Sequence, residues 1–223
     1  MKERLGHEVM AMRATREFRD GDCVNLGYGI PNLCVGFVPP DKEIIFHAEN
    51  GVLGYGRLLF ENEADRVDLD YVDAGIRPFE PQPGLCWFDM ATSFDMIRGG
   101  HLDATVMGAL EVSEKGDLAN WTRSAAAAAG IGGGMDLAVG AKRVIVLMEH
   151  ITKKGEPRIV KQCKFPLTAK ECVKLIITDL AVIAVEEGGL ILREYAPGWT
   201  VEEIQALTEP RLVAAEALCE MSL

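Results

Sequence analysis

Three stretches of this 223-residue chain carry residue types that could do chemistry. Glu49 closes the apolar run EIIFHAE, residues 43–49. Asn50 and Gly51 follow it; both accept turn or left-handed backbone and so turn N–H groups toward a neighbouring ligand. A glutamate in that setting is either a catalytic group or a strand end held by a salt bridge. The second stretch, GIGGGMDL at 130–137, packs four glycines into five positions ahead of a helical-looking segment. Such a turn lets backbone amides approach an anion or an oxyanion, and it also serves as a plain connector. In the third, SFDMIRGGHLDATVMGAL at 93–110, Arg98-Gly99-Gly100 stands just before a buried strand.

Several other chemistries lack their residues. There is no Gly-x-x-x-x-Gly-Lys followed by Ser or Thr, and GYGIPN (27–32) lacks the third glycine of a dinucleotide fingerprint. No Gly-x-Ser-x-Gly elbow occurs. His7-Glu8 begins a zinc-protease pattern that Ala11 breaks, and the four histidines (7, 47, 101, 150) include no pair at ligand spacing, so no metal is expected. The six cysteines contain no Cys-x-x-Cys pair and read as reduced, mostly buried, small apolar residues. A net charge of -11 with no basic run argues against nucleic acid and anionic membrane as partners. The first twenty residues carry nine charged side chains where a signal peptide needs an apolar run, so the expected location is the cytoplasm.

The elements that must position these residues read as α/β. Residues 2–18 pattern as an amphipathic helix stopped by Asp20-Gly21, and residues 23–40 as strand, glycine turn and a helix opened by Pro31 and closed by Pro39-Pro40. Residues 43–49 read as a buried strand and 61–84 as a long excursion of loops. DATVMGAL (103–110) and RVIVLMEH (143–150) have the β-branched content of strands covered on both faces. LAVIAV and LILREY predict a hairpin around Glu187-Gly188-Gly189, and Thr200 with Glu203 is a capping-box start for a last helix. No linker divides residues 1–223, so one lobe is expected, with 209–223 as a peripheral helix or tail.

In order and content, NLGYGIP (25–31), ENGVLGYG (49–56), DAG (73–75), SFDMIRGGHLD (93–103), GDLANW (116–121), GGGMDL (132–137), MEHITKKG (148–155), PLT (166–168) and ITDLAV (177–182) resemble the β subunit of family I CoA-transferases, the 3-oxoacid type in particular. The resemblance covers residues 3–208. It implies an open, mostly parallel sheet with helices packed around it. It also implies that Glu49 is the catalytic nucleophile, forming a mixed anhydride with the acyl group and then a glutamyl-CoA thioester. A carboxylate suits that role because glutamate, with an ordinary pKa of about 4.3, is ionised at pH 7 and needs no base. Gly132 and Gly133 match the family's glycine pair and are the candidate oxyanion donors; Asn50 and Gly51 would shape the nucleophile turn. Gly27, Gly29, Gly75 and Arg98 are candidates for contact with CoA or substrate, as are His47, Arg77, His101 and Arg123. A structural ion pair is the alternative for Arg98 and a solvated charge for Arg123. His150 at the end of MEH reads as structural, and Trp87 and Trp121 as core or subunit-contact residues.

The resemblance implies coenzyme A as substrate and covalent intermediate rather than as a resident cofactor, and a small carboxylic acid as the other substrate. It also implies an α subunit, in an αβ or α2β2 assembly, because the glycine-rich motif with which the α half helps hold CoA does not occur here. The chain departs from the family pattern at Ala48 (often Ser), Arg57 (commonly Pro), Asp73 to Ile76 (commonly Asn-Ala-Gly-Lys) and SAAAAAGI at 124–131, where acetoacetate-type members have Pro-Gly-Lys. Acetoacetate and 3-oxoadipate remain the acids of choice, with GDLANW favouring the second. Thioester hydrolysis on the same fold and a non-catalytic sensing or assembly role are the alternatives.

Overall fold

The computed structural model describes residues 2–124 and 130–222. Helix α1 (His7–Thr15) leads into β1 (Cys23–Leu26), a 3-10 helix (Ile30–Gly36), β2 (Ile45–Ala48), β3 (Val52–Leu53), a second 3-10 helix (Glu61–Arg66), β4 (Cys86–Trp87) and α2 (Met90–Arg98). There follow β5 (Ala104–Met107), β6 (Glu111–Ser113), β7 (Leu118–Ala119), α3 (Gly134–Gly140), β8 (Val144–Leu147) and β9 (Ile159–Val160). The chain closes with β10 (Val173–Ile177), β11 (Ala181–Glu186), β12 (Gly189–Tyr195), α4 (Val201–Ala206) and β13 (Leu212–Glu220).

Ten strands make one sheet in the order β13-β12-β11-β10-β8-β5-β1-β2-β3-β4, and β7-β6-β9 form a small second one. The central five, β10 to β2 in that order, are all parallel. Antiparallel strands flank them on both sides, and β13 adds a parallel edge to β12. The result is the α/β open sheet that the sequence predicts.

Strand β8 shows why its residues read as buried on both faces. Ile145 and Leu147 join the core under α1 with Met10, Ala14 and Phe18, while Val144 and Val146 join the core under α2 and α3 with Ile97, Leu137 and Ala138. Alternate side chains of one strand therefore serve opposite layers. Each such side chain, buried completely, contributes about 1.5–3 kcal/mol.

Several expectations change. The first helix is His7–Thr15 rather than 2–18: Gly6 caps it, and the segment before it is extended, with Leu5 N–H donating to Asp179 O at 3.2 Å. The element after the 27–29 glycine turn is 3-10, not α-helical. Residues 61–84 contain a 3-10 turn, with Leu58 and Phe79 pairing across their span. Residues 209–223 hold strand β13 instead of a helix or tail, because Leu190 to Tyr195 offers an open edge for pairing. Only Cys34 is fully buried; Cys86 and Cys219 are exposed on edge strands, and Cys23, Cys163 and Cys172 are partly covered. The hairpin β11–β12 and the Thr200 capping box form as predicted. The alanine run 125–129 lies outside the described residues. Among the described residues no helix is long and apolar enough to cross a membrane.

Candidate active site

Glu49 leaves the carboxyl end of β2, beside the carboxyl ends of β1 and β5, the edge of an open α/β sheet where ligands ordinarily bind. Its turn is held from behind. Gly51 N–H donates to Ala48 O at 3.0 Å, and Phe88 N–H donates to Gly51 O at 3.0 Å. Gly51 has φ +105°, and a Cβ there would overlap the Phe88 carbonyl, 3.1 Å from its carbon. Only glycine fits. Asn50 Nδ2 donates to Val72 O at 3.0 Å, tying the turn to the 61–84 excursion, while its Oδ1 is buried without a partner.

Across from Glu49 stands the glycine turn that opens α3. Gly133 N–H donates to Glu49 Oε1 at 3.3 Å, and a Cβ on Gly133 would lie within the contact radius of Glu49 Oε2, 2.9 Å from Cδ and 3.1 Å from Phe94 Cζ. Gly132, at φ +58°, would bring a Cβ to 3.4 Å from Oε1. These residues, 84 positions apart, are thus packed backbone to carboxylate. Among the described residues Glu49 makes no ion pair, so it is not the salt-bridged strand end that the sequence left open.

A buried polar network lies beneath the turn. Thr105 Oγ1 donates to Asn25 Oδ1 at 3.2 Å, and Asn25 Nδ2 donates to His47 O at 3.1 Å and faces His47 Nδ1 at 3.2 Å. With Nδ1 accepting, the proton sits on His47 Nε2, 3.0 Å from Ser93 Oγ on α2. Burial pushes the His47 pKa down to about 4, so the ring is neutral and structural rather than a ligand contact. Asn25, Ser93, Phe94 and Thr105 escaped the sequence reading. The signal was there for one of them, since an asparagine inside the apolar run CVNL must find partners when buried.

The remaining candidates divide. Gly27 passes so close to β5 that a Cβ would lie 3.1 Å from Val106 O, and Gly75 packs under the Tyr28 ring, 2.7 Å from Cδ2 to a built Cβ. Gly29 takes φ +94° in open space. Asp73 anchors the Gly75 loop, its Oδ1 accepting from Gly75 N–H (2.8 Å) and Arg77 N–H (2.9 Å) and its Oδ2 from Asn32 Nδ2 (2.7 Å). Burial raises the Asp73 pKa against those hydrogen bonds. Arg98 Nε donates to Asp136 Oδ1 at 2.7 Å and its guanidinium lies over the Phe94 ring, so it joins α2 to α3 as the structural pair the sequence allowed. His101 and Arg123 are exposed. Trp87, half-exposed on edge strand β4, stacks on Phe79 rather than filling the core. His150 is buried between Thr178 and Thr208, away from Glu49, its pKa lowered to about 3 by burial. Among the described residues no group of three or more His, Cys, Asp or Glu is placed to hold a metal. A cleft of about 970 Å³ at the amino end of β10 is lined by Lys115, Lys174, Arg211 and several glutamates, and contains none of these residues.

Comparison with known proteins joins this geometry to a family. The acetate CoA-transferase subunit beta of Haemophilus influenzae is 42% identical, with 97% of this chain and 95% of that one covered. A mouse mitochondrial succinyl-CoA:3-ketoacid coenzyme A transferase, 2B, is 47% identical over 88% of this chain, a match that takes up 38% of the mouse chain. The fold is shared with the Escherichia coli O157:H7 acyl-CoA transferase crystallised as a thioester complex with CoA, at a TM-score of 0.72 and 20% identity, covering all of this chain and 44% of that one. Residues 7–207 match the coenzyme A transferase family, and the chain belongs to it.

Proposed function

We propose that this chain is the nucleophile-bearing β subunit of a CoA-transferase that moves CoA between an acyl-CoA and a carboxylic acid through a glutamyl-CoA thioester on Glu49. One observation carries the reading: a carboxylate free of ion pairs among the described residues, with the Gly133 N–H directed at one of its own oxygens.

The chemistry follows from that pairing. The Glu49 carboxylate adds to the thioester carbonyl of the acyl-CoA, the C–S bond breaks, and CoA leaves as thiolate from an acyl-glutamyl anhydride. The thiolate then adds to the glutamyl carbonyl and the donor acid leaves as carboxylate, forming glutamyl-CoA. An incoming carboxylate reverses both steps and departs as the new acyl-CoA. No proton is transferred, consistent with a site that has no titrating histidine beside Glu49. In the two additions at the glutamyl carbon, the oxygen that gathers negative charge belongs to Glu49 itself. The amide that reaches this oxygen at 3.3 Å in the resting enzyme can shorten its bond as the charge develops.

The acid is a short 3-oxoacid in this reading, with 3-oxoadipate favoured over acetoacetate, and the working assembly includes an α subunit, as αβ or α2β2, in the cytoplasm. Relatives named for acetate and for a 3-ketoacid are 42% and 47% identical to this chain, so identity at this level does not distinguish one acid from the other. The test is to incubate the chain, co-expressed with its α subunit, with succinyl-CoA or acetyl-CoA and to digest it for mass spectrometry. CoA attached at Glu49, and turnover only when an acceptor acid is present, is the expected result. A fully active Glu49→Ala variant overturns it, and acceptor-independent loss of acyl-CoA at full rate indicates hydrolysis.

A further inference from the structure

His47 and Glu49 stand two residues apart where β2 ends, and both turn toward the layer of α2 and α3. Phe46 and Ala48, which alternate with them, go into the core under α1. The candidate nucleophile thus lies one step along the same side of the sheet from a buried histidine.

The hydrogen bonds around that histidine run in one direction. Its carbonyl accepts from Asn25 Nδ2 at 3.1 Å, which fixes the amide with its nitrogen toward β2, while Thr105 Oγ1 donates to Asn25 Oδ1 at 3.2 Å. The second Nδ2 hydrogen is left for His47 Nδ1, so the ring hydrogen is on Nε2 and goes to Ser93 Oγ. Among the described residues this is the one hydrogen bond between β2 and α2. It closes a circuit. Ser93 is followed on α2 by Phe94, which stands against Gly133, and the Gly133 N–H donates to Glu49 Oε1. Within the circuit α2 and α3 are packed closely, since a Cβ on Gly140 would overlap the Ile97 carbonyl and Arg98 bonds Asp136. The distance between Glu49 and its amide is therefore set twice, by the turn itself and by how far the His47–Ser93 bond holds α2 from β2.

We propose that His47 is a positioning residue for the nucleophile: through Ser93 it sets the place of α2, and with it Phe94 and Gly133, relative to the Glu49 carboxylate. This rests on the reading of Glu49 given above. The ring itself is fully buried and meets no substrate. Phe88 adds to the support, stacking on the ring at 6.4 Å while its backbone N–H donates to Gly51 O. A misplacement on the order of 1 Å between reacting groups costs about 10²-fold in rate, so a small shift of α2 is enough to be read. The chain also holds its own control. His150 is buried in the same way between two hydroxyls, those of Thr178 and Thr208, but away from Glu49, and it measures what such a residue does for the fold alone.

The experiment takes the enzyme co-expressed with its α subunit through a single turnover with saturating succinyl-CoA or acetyl-CoA, quenches it at intervals and weighs the Glu49 peptide for attached CoA. His47→Leu should slow attachment by roughly 10- to 100-fold at full final extent, with KM for acyl-CoA within about twofold of wild type. Loss of folded protein would instead lower the extent and leave the rate. Ser93→Ala, the smaller change, should slow attachment at least about fivefold, and it decides alone if His47→Leu does not fold. His47→Gln, whose amide keeps a donor for Ser93, should recover most of the rate. His150→Leu should lower the melting temperature and leave the rate as it is. Rates within about twofold of wild type for His47→Leu and Ser93→Ala, an equal slowing by His150→Leu, or no recovery with glutamine would each overturn the proposal. CoA on wild-type Glu49 beside indifferent variants removes this proposal and keeps the nucleophile. No CoA on wild-type Glu49 removes the nucleophile reading and the proposal with it.

Discussion

Replacing Gly133 with alanine separates chemistry from folding at this site. Gly133 sits at φ -79° and ψ 8°, where alanine is at ease, so the backbone carries no penalty. The added Cβ meets Glu49 instead, overlapping Oε2 and standing 2.9 Å from Cδ, with Phe94 Cζ at 3.1 Å on the other side. The carboxylate is the end of a flexible side chain and swings away, which costs the fold little. It costs the reaction much, because the nucleophile leaves its position and its oxygen loses the Gly133 N–H. One preorganised oxyanion donor is worth about 3 kcal/mol of barrier, a factor of roughly 10² to 10³ in kcat. Because that interaction strengthens only as charge develops, kcat and kcat/KM should fall together while KM stays within about twofold. Steady-state acyl transfer by the co-expressed enzyme, with a thermal melt of the same sample, reads both quantities. A kcat within threefold of wild type refutes the reasoning. So does a lost activity that tracks a fall of more than about 5 °C in melting temperature, a shift worth about 1–3 kcal/mol at this size.

Gly51→Ala should behave oppositely, since its Cβ would strike the Phe88 backbone at φ +105°, where nothing can swing aside. The expected loss is roughly 3 kcal/mol or more of stability, seen as a melting temperature lower by about 6–12 °C. Ser93→Ala leaves the buried His47 Nε2–H without its acceptor and should cost about 1–3 kcal/mol, measured by denaturant unfolding. His47 also predicts a pH dependence. Its folded pKa of about 4 lies below the ordinary 6.5, so the unfolded chain binds the proton first. Stability is then full above pH 6.5 and declines as pH falls toward 4, by on the order of 3 kcal/mol from this residue. His47→Gln should flatten that part of a stability-against-pH curve, and an unchanged slope would show that other groups produce it. Arg98→Ala breaks an exposed ion pair and should leave the melting temperature nearly unchanged, with KM for acyl-CoA unchanged. A tenfold rise in KM would give Arg98 a ligand after all.

Local pattern made a good part of this molecule legible. The buried strands around Val106 and Val146, the β11–β12 hairpin and the Thr200 cap all follow from periodicity and turn chemistry, which act over a few neighbouring residues. Helix boundaries were less legible: the first helix starts at His7 because the residues before it lie against Asp179, a contact between opposite ends of the chain. β13 looked like a tail for the same reason, since nothing in LVAAEALCE announces that Leu190 to Tyr195 offers an edge to it.

For the site, residue types and order pointed to Glu49, Asn50, Gly51 and the 130–134 glycine turn as candidates, and the family resemblance chose the 132–133 pair within that turn, because such features are carried by single residues and short motifs. Which role each could play was decided by tertiary structure. Only the sheet brings Gly133 across 84 residues to the Glu49 carboxylate, and only packing turns Arg98 toward Asp136 and His47 into a neutral strut between Asn25 and Ser93. The physical reason is range. Turn and strand preferences are local energies written into adjacent residues, whereas the aim of an amide, the pairing of a cation and the burial of His47 depend on distant segments that meet only when the chain is folded.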